Sequence, residues 1–303
     1  MEISKENIQE SFSPTLLEEL NYFVISLRPK QWSKNLFLFS GIIFSGKLYD
    51  GLLFLNTVLA FFIFCLASGC IYIFNDIIDL EKDQFHPEKS KRPIAAGLLN
   101  ISHARAYAFI GAGLSLSLSF VLNPTFCFIL AVYIGQNILY STKLKSIVIL
   151  DILMISFGFV LRVISGSIIA EVLPSEWVLL TTLFLALLLG FGKRRSELLL
   201  LSESAQKHRS NLAQYTLQYL DYLTFSMANL CIISYLLFVL TSGEKPSFMI
   251  TVPFVLYAIL RYLYLLFVEK RTQGPELLAL EDKPLCVSIV LWTIACFLAL
   301  YIL

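Results

Sequence analysis

The sequence predicts an all-α protein that crosses a membrane about nine times. Three observations predict it. Of 303 residues, 57% are hydrophobic and only 15% charged, against roughly 25% charged in a soluble domain, and the mean hydropathy is +0.74. Apolar stretches approaching the roughly 20 residues of a spanning helix recur along the whole chain. The basic residues gather in alternate loops. Such a composition excludes an ordinary soluble enzyme, a disordered chain and a nucleic-acid binder. The net charge of +1 exerts no global pull on polyanions.

The first thirteen residues are polar, without the basic region and apolar core of a signal peptide. From Pro14 to Leu27 the apolar residues Leu16, Leu17, Leu20, Phe23, Val24 and Leu27 recur at helical spacing, with Glu18, Glu19 and Asn21 between them. This reads as an amphipathic helix lying on the membrane surface or packed on the protein itself. Residues 1–27 are thus a polar and interfacial lead-in to one integral membrane domain over 1–303. Nine apolar stretches follow, at about 35–47, 51–74, 103–122, 124–140, 147–170, 177–192, 221–241, 248–268 and 285–303. The first is short, so the count is eight or nine.

With nine spans and a cytoplasmic N-terminus, 19 of the 23 basic residues fall on the cytoplasmic side, leaving Lys47 and Lys245 opposite and Arg162 and Arg261 within spans. That asymmetry matches the positive-inside rule and places every long polar loop on the cytoplasmic face of a cell (inner) membrane. The six cysteines lie in or beside apolar spans without a C-x-x-C pair and read as free buried thiols. The three scattered histidines do not suggest zinc.

The densest chemistry is Asn75-Asp76-Ile77-Ile78-Asp79-Leu80-Glu81-Lys82-Asp83, at the cytoplasmic end of the second span. If the helix continues, Asp76, Asp79 and Asp83 share one face at i, i+3 and i+7. Three adjacent carboxylates need a cation between them, and all-oxygen ligands favour Mg²⁺ or Mn²⁺. Mg²⁺ usually bridges protein carboxylates to phosphate. The next loop, from His86 to Gly97, carries Lys89, Lys91 and Arg92, which suit diphosphate oxygens and equally suit a positive-inside loop.

The pattern Asn75-Asp76-x-x-Asp79-x-x-x-Asp83, followed by Arg92-Pro93 and set in about nine spans, resembles the UbiA superfamily of intramembrane prenyltransferases. The resemblance implies a UbiA-like helical bundle with a central cavity open to the cytoplasm and to lipid. It also implies that Asp76, Asp79 and Asp83 bind Mg²⁺-diphosphate. Aromatic prenyltransferases of that superfamily carry a second aspartate-rich motif. Here the corresponding loop reads Gly192-Lys193-Arg194-Arg195-Ser196-Glu197, then Lys207-His208-Arg209, and Asp221 stands alone. One metal cluster plus a further basic patch suits a donor carrying a diphosphate and an extra phosphate, such as phosphoribosyl diphosphate.

Arg28-Pro29-Lys30-Gln31-Trp32-Ser33-Lys34-Asn35, Tyr140-Ser141-x-Lys143-Leu144-Lys145, Asp151, Arg162, Arg261-Tyr262, Gly274-Pro275-Glu276 and Asp282-Lys283-Pro284 together look like the decaprenyl-phosphate phosphoribosyltransferase branch. Membership implies transfer of 5-phosphoribose to a polyprenyl phosphate, with release of diphosphate, for lipid-linked pentose and cell-wall biogenesis. The alternative is a prenyltransferase moving a prenyl group to an aromatic or other acceptor. A transporter is a third reading, disfavoured by the position of the acidic cluster at the membrane edge and the lack of a visible repeat.

Position suggests the roles. Asn75 borders the acidic cluster. Lys91 and Arg92 hold the donor diphosphate. Lys193, Arg194 and Arg195 hold the 5-phosphate or the lipid phosphate, and Glu197 orients one of them or a ribose hydroxyl. Tyr140, Lys143 and Lys145 are further phosphate ligands, Lys145 being the one of the three best explained by topology alone, and Lys34 and Asn35 border the same cavity. Arg162 lies about 16 Å along its helix from Asp151, where an uncompensated charge costs roughly 3 kcal/mol. It reads as an anion ligand deep in the cavity, or as one half of an internal pair, and Arg261 is argued the same way. The apolar groove for the polyprenyl tail has no readable mark among the 25 phenylalanines.

Overall fold

A computed structural model describes residues 15–86, 88–200, 212–241 and 246–302. Lys5, Lys207, His208, Arg209 and Lys245, counted above among the loop residues, lie outside the described residues. The regular structure of the described residues is all helix: α1 Leu16–Ser26, a 3-10 segment Pro29–Phe39, α2 Ser40–Phe44, α3 Gly51–Ile78, α4 Leu80–Gln84, α5 Ile101–Leu122, α6 Pro124–Thr142, α7 Leu150–Ile169, α8 Glu176–Leu200, α9 Leu217–Thr241, α10 Val252–Phe267, α11 Pro275–Glu281 and α12 Lys283–Tyr301. Eight of these elements are long and apolar enough to cross a membrane: α3, α5 to α9, α10 with the 3-10 turn before it (Ser247–Phe267), and α12. The protein is an integral membrane protein.

The first apolar stretch is built differently from the other eight. Its eleven 3-10 residues and the five of α2 rise about 2.0 Å and 1.5 Å each, so sixteen residues cover about 30 Å, the depth of a bilayer core. Contacts at both ends agree with that length. Arg28, at its head, bonds Asp76 near the end of α3. Lys47, beyond its foot, donates to the carbonyls of Ala170 and Glu171 (3.2 and 3.1 Å) past the opposite end of α7. The segment lies against α7 through two glycines. A Cβ on Gly166 would stand 1.8 Å from the Leu38 carbonyl oxygen, and one on Gly41 would stand 2.7 Å from the Gly166 backbone.

Side-chain oxygens close the helix starts. Asp50 accepts from the N–H groups of Leu52 and Leu53, Asn123 from those of Thr125 and Phe126, and Asp282 from that of Leu285, which satisfies amides that would otherwise be orphaned at the membrane boundary. Helices α3 and α7 are the inner pair: 61% of each apolar window is buried, against 22% for α5. Between them Leu38, Phe64, Phe126, Leu130, Tyr133 and Leu161 form one core. A second core, under α8, α9 and α10, holds Leu188, Ala228, Cys231, Ile259 and Leu266. All six cysteines are free, four of them buried.

Helix α1 has a capping box formed by Thr15 and Glu18. It packs one edge on the bundle, with Phe23 5.1 Å from Tyr107 and Leu27 buried. Leu17, Leu20 and Val24 point outward.

Candidate active site

Helix α3 does not run through the acidic cluster. It ends at Ile78, and Asp79 (φ −91°, ψ 7°) both caps α3 and starts α4. The Asp79 N–H still donates to Asn75 O (2.9 Å), while Asp79 O accepts from the N–H groups of Lys82 and Asp83 (3.0 and 2.8 Å). The continuous face expected for the three aspartates is therefore corrected to a break. The break relieves carboxylate repulsion by turning Asp79 to a cation of its own, away from the other two acids.

Asp76 and Asp83, nearly buried, converge on one guanidinium nitrogen: Arg92 Nη1 donates to Asp76 Oδ1 at 2.9 Å and to Asp83 Oδ2 at 2.5 Å. Arg28 also donates to Asp76, and Lys89 lies 3.6 Å from Asp83. Asp79 turns away to Lys145, at 2.6 Å. Lys145 therefore carries an ion pair to the acidic segment instead of serving topology alone.

Arg28, Asp76, Glu88, Lys91 and Arg92 line a cavity of about 220 Å³. Asn75 is half-buried beside Asp76, and Lys91 is exposed at the rim. The sequence pattern alone assigns Arg28 no role. Its backbone is left-handed at φ 53°, uncommon for a residue with a side chain, and its guanidinium lies 4.9 Å over the Tyr72 ring. Burial pushes its pKa down from the ordinary arginine value, against the pull of Asp76. The Arg-Pro pair is visible in the sequence; the turn that aims Arg28 at Asp76 is not.

Two nearly buried carboxylates sharing one cation are a donor set suited to a hard divalent ion, and Arg92 stands in the shared position. The third aspartate is not part of that set, and among the described residues no three His, Cys, Asp or Glu side chains stand together as a metal group.

The other candidate residues fall in three further places. Arg162 is buried at mid-helix, donating from Nε to Asn35 Oδ1, from Nη1 to Gly158 O and from Nη2 to the Tyr133 hydroxyl, all at 2.8 Å. Its guanidinium lies 4.8–5.3 Å from the Tyr133, Phe64 and Phe159 ring centres. Asn35 is buried as well, and its amide nitrogen donates to Cys65 Sγ and Ser68 Oγ (3.2 Å each). Asn35 and Arg162 thus tie the 3-10 segment to α3, α6 and α7. Lys34 beside them is half-buried.

Arg194 is held by Asp151 (3.1 Å) and Glu197 (2.6 Å), with Tyr140 in electrostatic range. Arg195 bonds Asp221 (2.5 Å) and Leu266 O (2.8 Å) and stacks on Phe267. Asp221, isolated in the sequence, thus has a cation partner in the fold. Lys143 and Lys193 are exposed. Arg261 forks to Asp282 (3.1 and 2.7 Å) and reaches Glu269 (3.3 Å). The internal pair is therefore the arrangement the structure displays at Arg261, and it clamps α10 to the start of α12.

Residues 36–280 match the UbiA prenyltransferase family. The chain is 34% identical over 289 residues to decaprenyl-phosphate phosphoribosyltransferase of Corynebacterium glutamicum, covering 92% of this chain and 86% of that protein. It is 30% identical to the Mycobacterium tuberculosis protein of the same name, over 89% of this chain and 91% of that one. In three dimensions it resembles a UbiA homolog from Archaeoglobus fulgidus bound to DMAPP and Mg²⁺, with a TM-score of 0.73, 17% identity, and 93% of this chain and all of that one covered.

Proposed function

The chain belongs to the UbiA prenyltransferase family and is a transferase, and from that premise we propose that it moves 5-phosphoribose from phosphoribosyl diphosphate to a polyprenyl phosphate, releasing diphosphate. The convergence of Asp76 and Asp83 on Arg92, at the head of a cavity also lined by Arg28 and Lys91, carries the reading. The relatives' shared name supports it. So does the basic sequence Lys193-Arg194-Arg195 where an aromatic prenyltransferase would need a second acidic motif.

Asp76 and Asp83 are the residues that would hold Mg²⁺, with positions left for diphosphate oxygens and water. The fold neighbour's Mg²⁺ accords with that assignment. When bound, the ion supplies Lewis-acid stabilisation of the departing diphosphate. Arg92 and Arg28 offer planar forks to the same diphosphate, and Lys91 offers a point charge. Asn75 adjoins Asp76 in sequence, and Lys145 holds Asp79 of the same acidic segment at 2.6 Å. Lys143 and Lys193, exposed above the buried Arg194, take the 5-phosphate or the lipid phosphate, with Tyr140 and Glu197 orienting that patch.

Arg162 acts from below by holding Asn35, and so the segment from which Arg28 and Lys34 project. The acceptor is already an anion, so no strong general base is required. The contribution of the chain is positioning and preorganised charge. The acceptor phosphate attacks the anomeric carbon as its bond to the diphosphate oxygen breaks, and the anomeric centre inverts. The basic loops face the cytoplasm, where the donor is dissolved, and the product feeds lipid-linked pentose for cell-wall synthesis.

Purified protein, Mg²⁺, labelled phosphoribosyl diphosphate and polyprenyl phosphate should yield a lipid-linked phosphoribose and one diphosphate per turnover. No such lipid, together with consumption of prenyl diphosphate in the presence of an aromatic acceptor, would establish the prenyltransferase alternative.

A further inference from the structure

The turn between α6 and α7 contains Ile149 at φ 69°, ψ −46°. This lies near the strained γ-turn region, and for a β-branched residue any positive φ is an outlier. Such geometry persists only where its surroundings over-determine it. Here the Ile149 carbonyl accepts from the N–H groups of Ile152 and Leu153 (3.1 and 3.0 Å), its side chain packs against the cluster around Tyr215, and its N–H donates to Tyr215 Oη at 2.6 Å. Tyr215 comes from the far side of the chain, immediately before α9, and its ring is buried among Ile152, Leu187, Phe191 and Leu220. Four residues before Ile149, on the same short turn, Lys145 reaches Asp79 at 2.6 Å.

We propose that Tyr215 is a positioning residue, whose hydroxyl locks the α6–α7 turn in its strained form and thereby sets Lys145 against Asp79. The consequence for catalysis rests on the assignment of Asp79 and Lys145 to the donor site. The lock joins the two halves of the bundle: the acidic segment lies in the first half, the buried tyrosine in the second, and the turn is the link between them. A glycine at 149 adopts positive φ without strain, so it removes the need for the lock.

The test uses the full-length protein in detergent and in nanodiscs. A carbodiimide joins a lysine amine to a carboxylate only when the two are in contact, so the Lys145–Asp79 cross-link, read by mass spectrometry, reports the positioning independently of turnover. Tyr215→Phe should lower that cross-link about tenfold, the scale of one buried hydrogen bond, and Tyr215→Phe/Ile149→Gly should restore it. The KM for phosphoribosyl diphosphate should follow the same pattern, rising in the single variant and recovering in the double variant, with kcat moving less. In a Lys145→Met background the Tyr215→Phe effect on KM should vanish.

An unchanged cross-link in Tyr215→Phe, with the melting midpoint preserved, overturns the proposal. So does loss of the cross-link that Ile149→Gly fails to rescue. A cross-link that falls and recovers while donor KM stays constant establishes the lock and overturns the donor-site role of Asp79.

Discussion

Replacing Arg92 with glutamine removes the cation that two nearly buried carboxylates share. Two charge-assisted hydrogen bonds go, at 2.9 and 2.5 Å, each worth about 1.5–3 kcal/mol. Arg28 stays on Asp76 and Lys89 stays 3.6 Å from Asp83, so the acids are not stranded. The net loss should fall near the lower end of the range for breaking a buried pair, about 3 kcal/mol.

The substitution should act in opposite directions on two ligands. Donor binding should weaken about tenfold to a hundredfold, because a charge-assisted contact to the diphosphate worth about 1.5–3 kcal/mol is lost. Mg²⁺ binding without donor should tighten, because the guanidinium no longer competes for Asp76 and Asp83. Calorimetry of the purified protein with each ligand separates the two, and a thermal melt with and without Mg²⁺ should show the metal rescuing the lost stability. Equal donor affinity in Arg92→Gln would refute the diphosphate contact, and weaker binding of Mg²⁺ alone would refute the idea that Arg92 stands in the metal position.

Three other outcomes follow from particular contacts. Gly166→Ala should abolish monodisperse protein on size exclusion, since its Cβ would meet the Leu38 carbonyl at 1.8 Å; Gly113→Ala, where nothing lies within 4 Å, should be silent. Arg261 holds the Asp282 carboxyl below the ordinary aspartate range, so the pair's stability is present above the unfolded value of about pH 3.9 and fades as pH falls through the lower folded value. The acid limb of a melting-midpoint profile should therefore flatten in Asp282→Asn. Chelation with EDTA should suppress both turnover and donor binding, and added Mg²⁺ should restore both in the wild type but only weakly in Asp76→Asn.

The sequence by itself determined the membrane class, the apolar spans and the acid-rich segment with its basic neighbour. Each of these depends on short-range composition and period, which water and lipid read directly. It also placed Arg162 at membrane depth, because rise per residue is fixed within a helix.

Only the tertiary structure decided which charges meet. Asp151, Asp221 and Asp282 lie 43, 26 and 21 residues from Arg194, Arg195 and Arg261, and no local pattern links partners at such separations. The short first stretch reaches across the bundle because it is wound as a 3-10 helix against Gly166, a packing choice invisible in its hydropathy. The three aspartates separate at Asp79 for a related reason: helical period can put like charges on one face, but the cations that relieve them come from Arg28, Arg92 and Lys145 on other elements. Charge in a low-dielectric bundle is costly until it is paired, and pairing is settled by where distant helices come to rest.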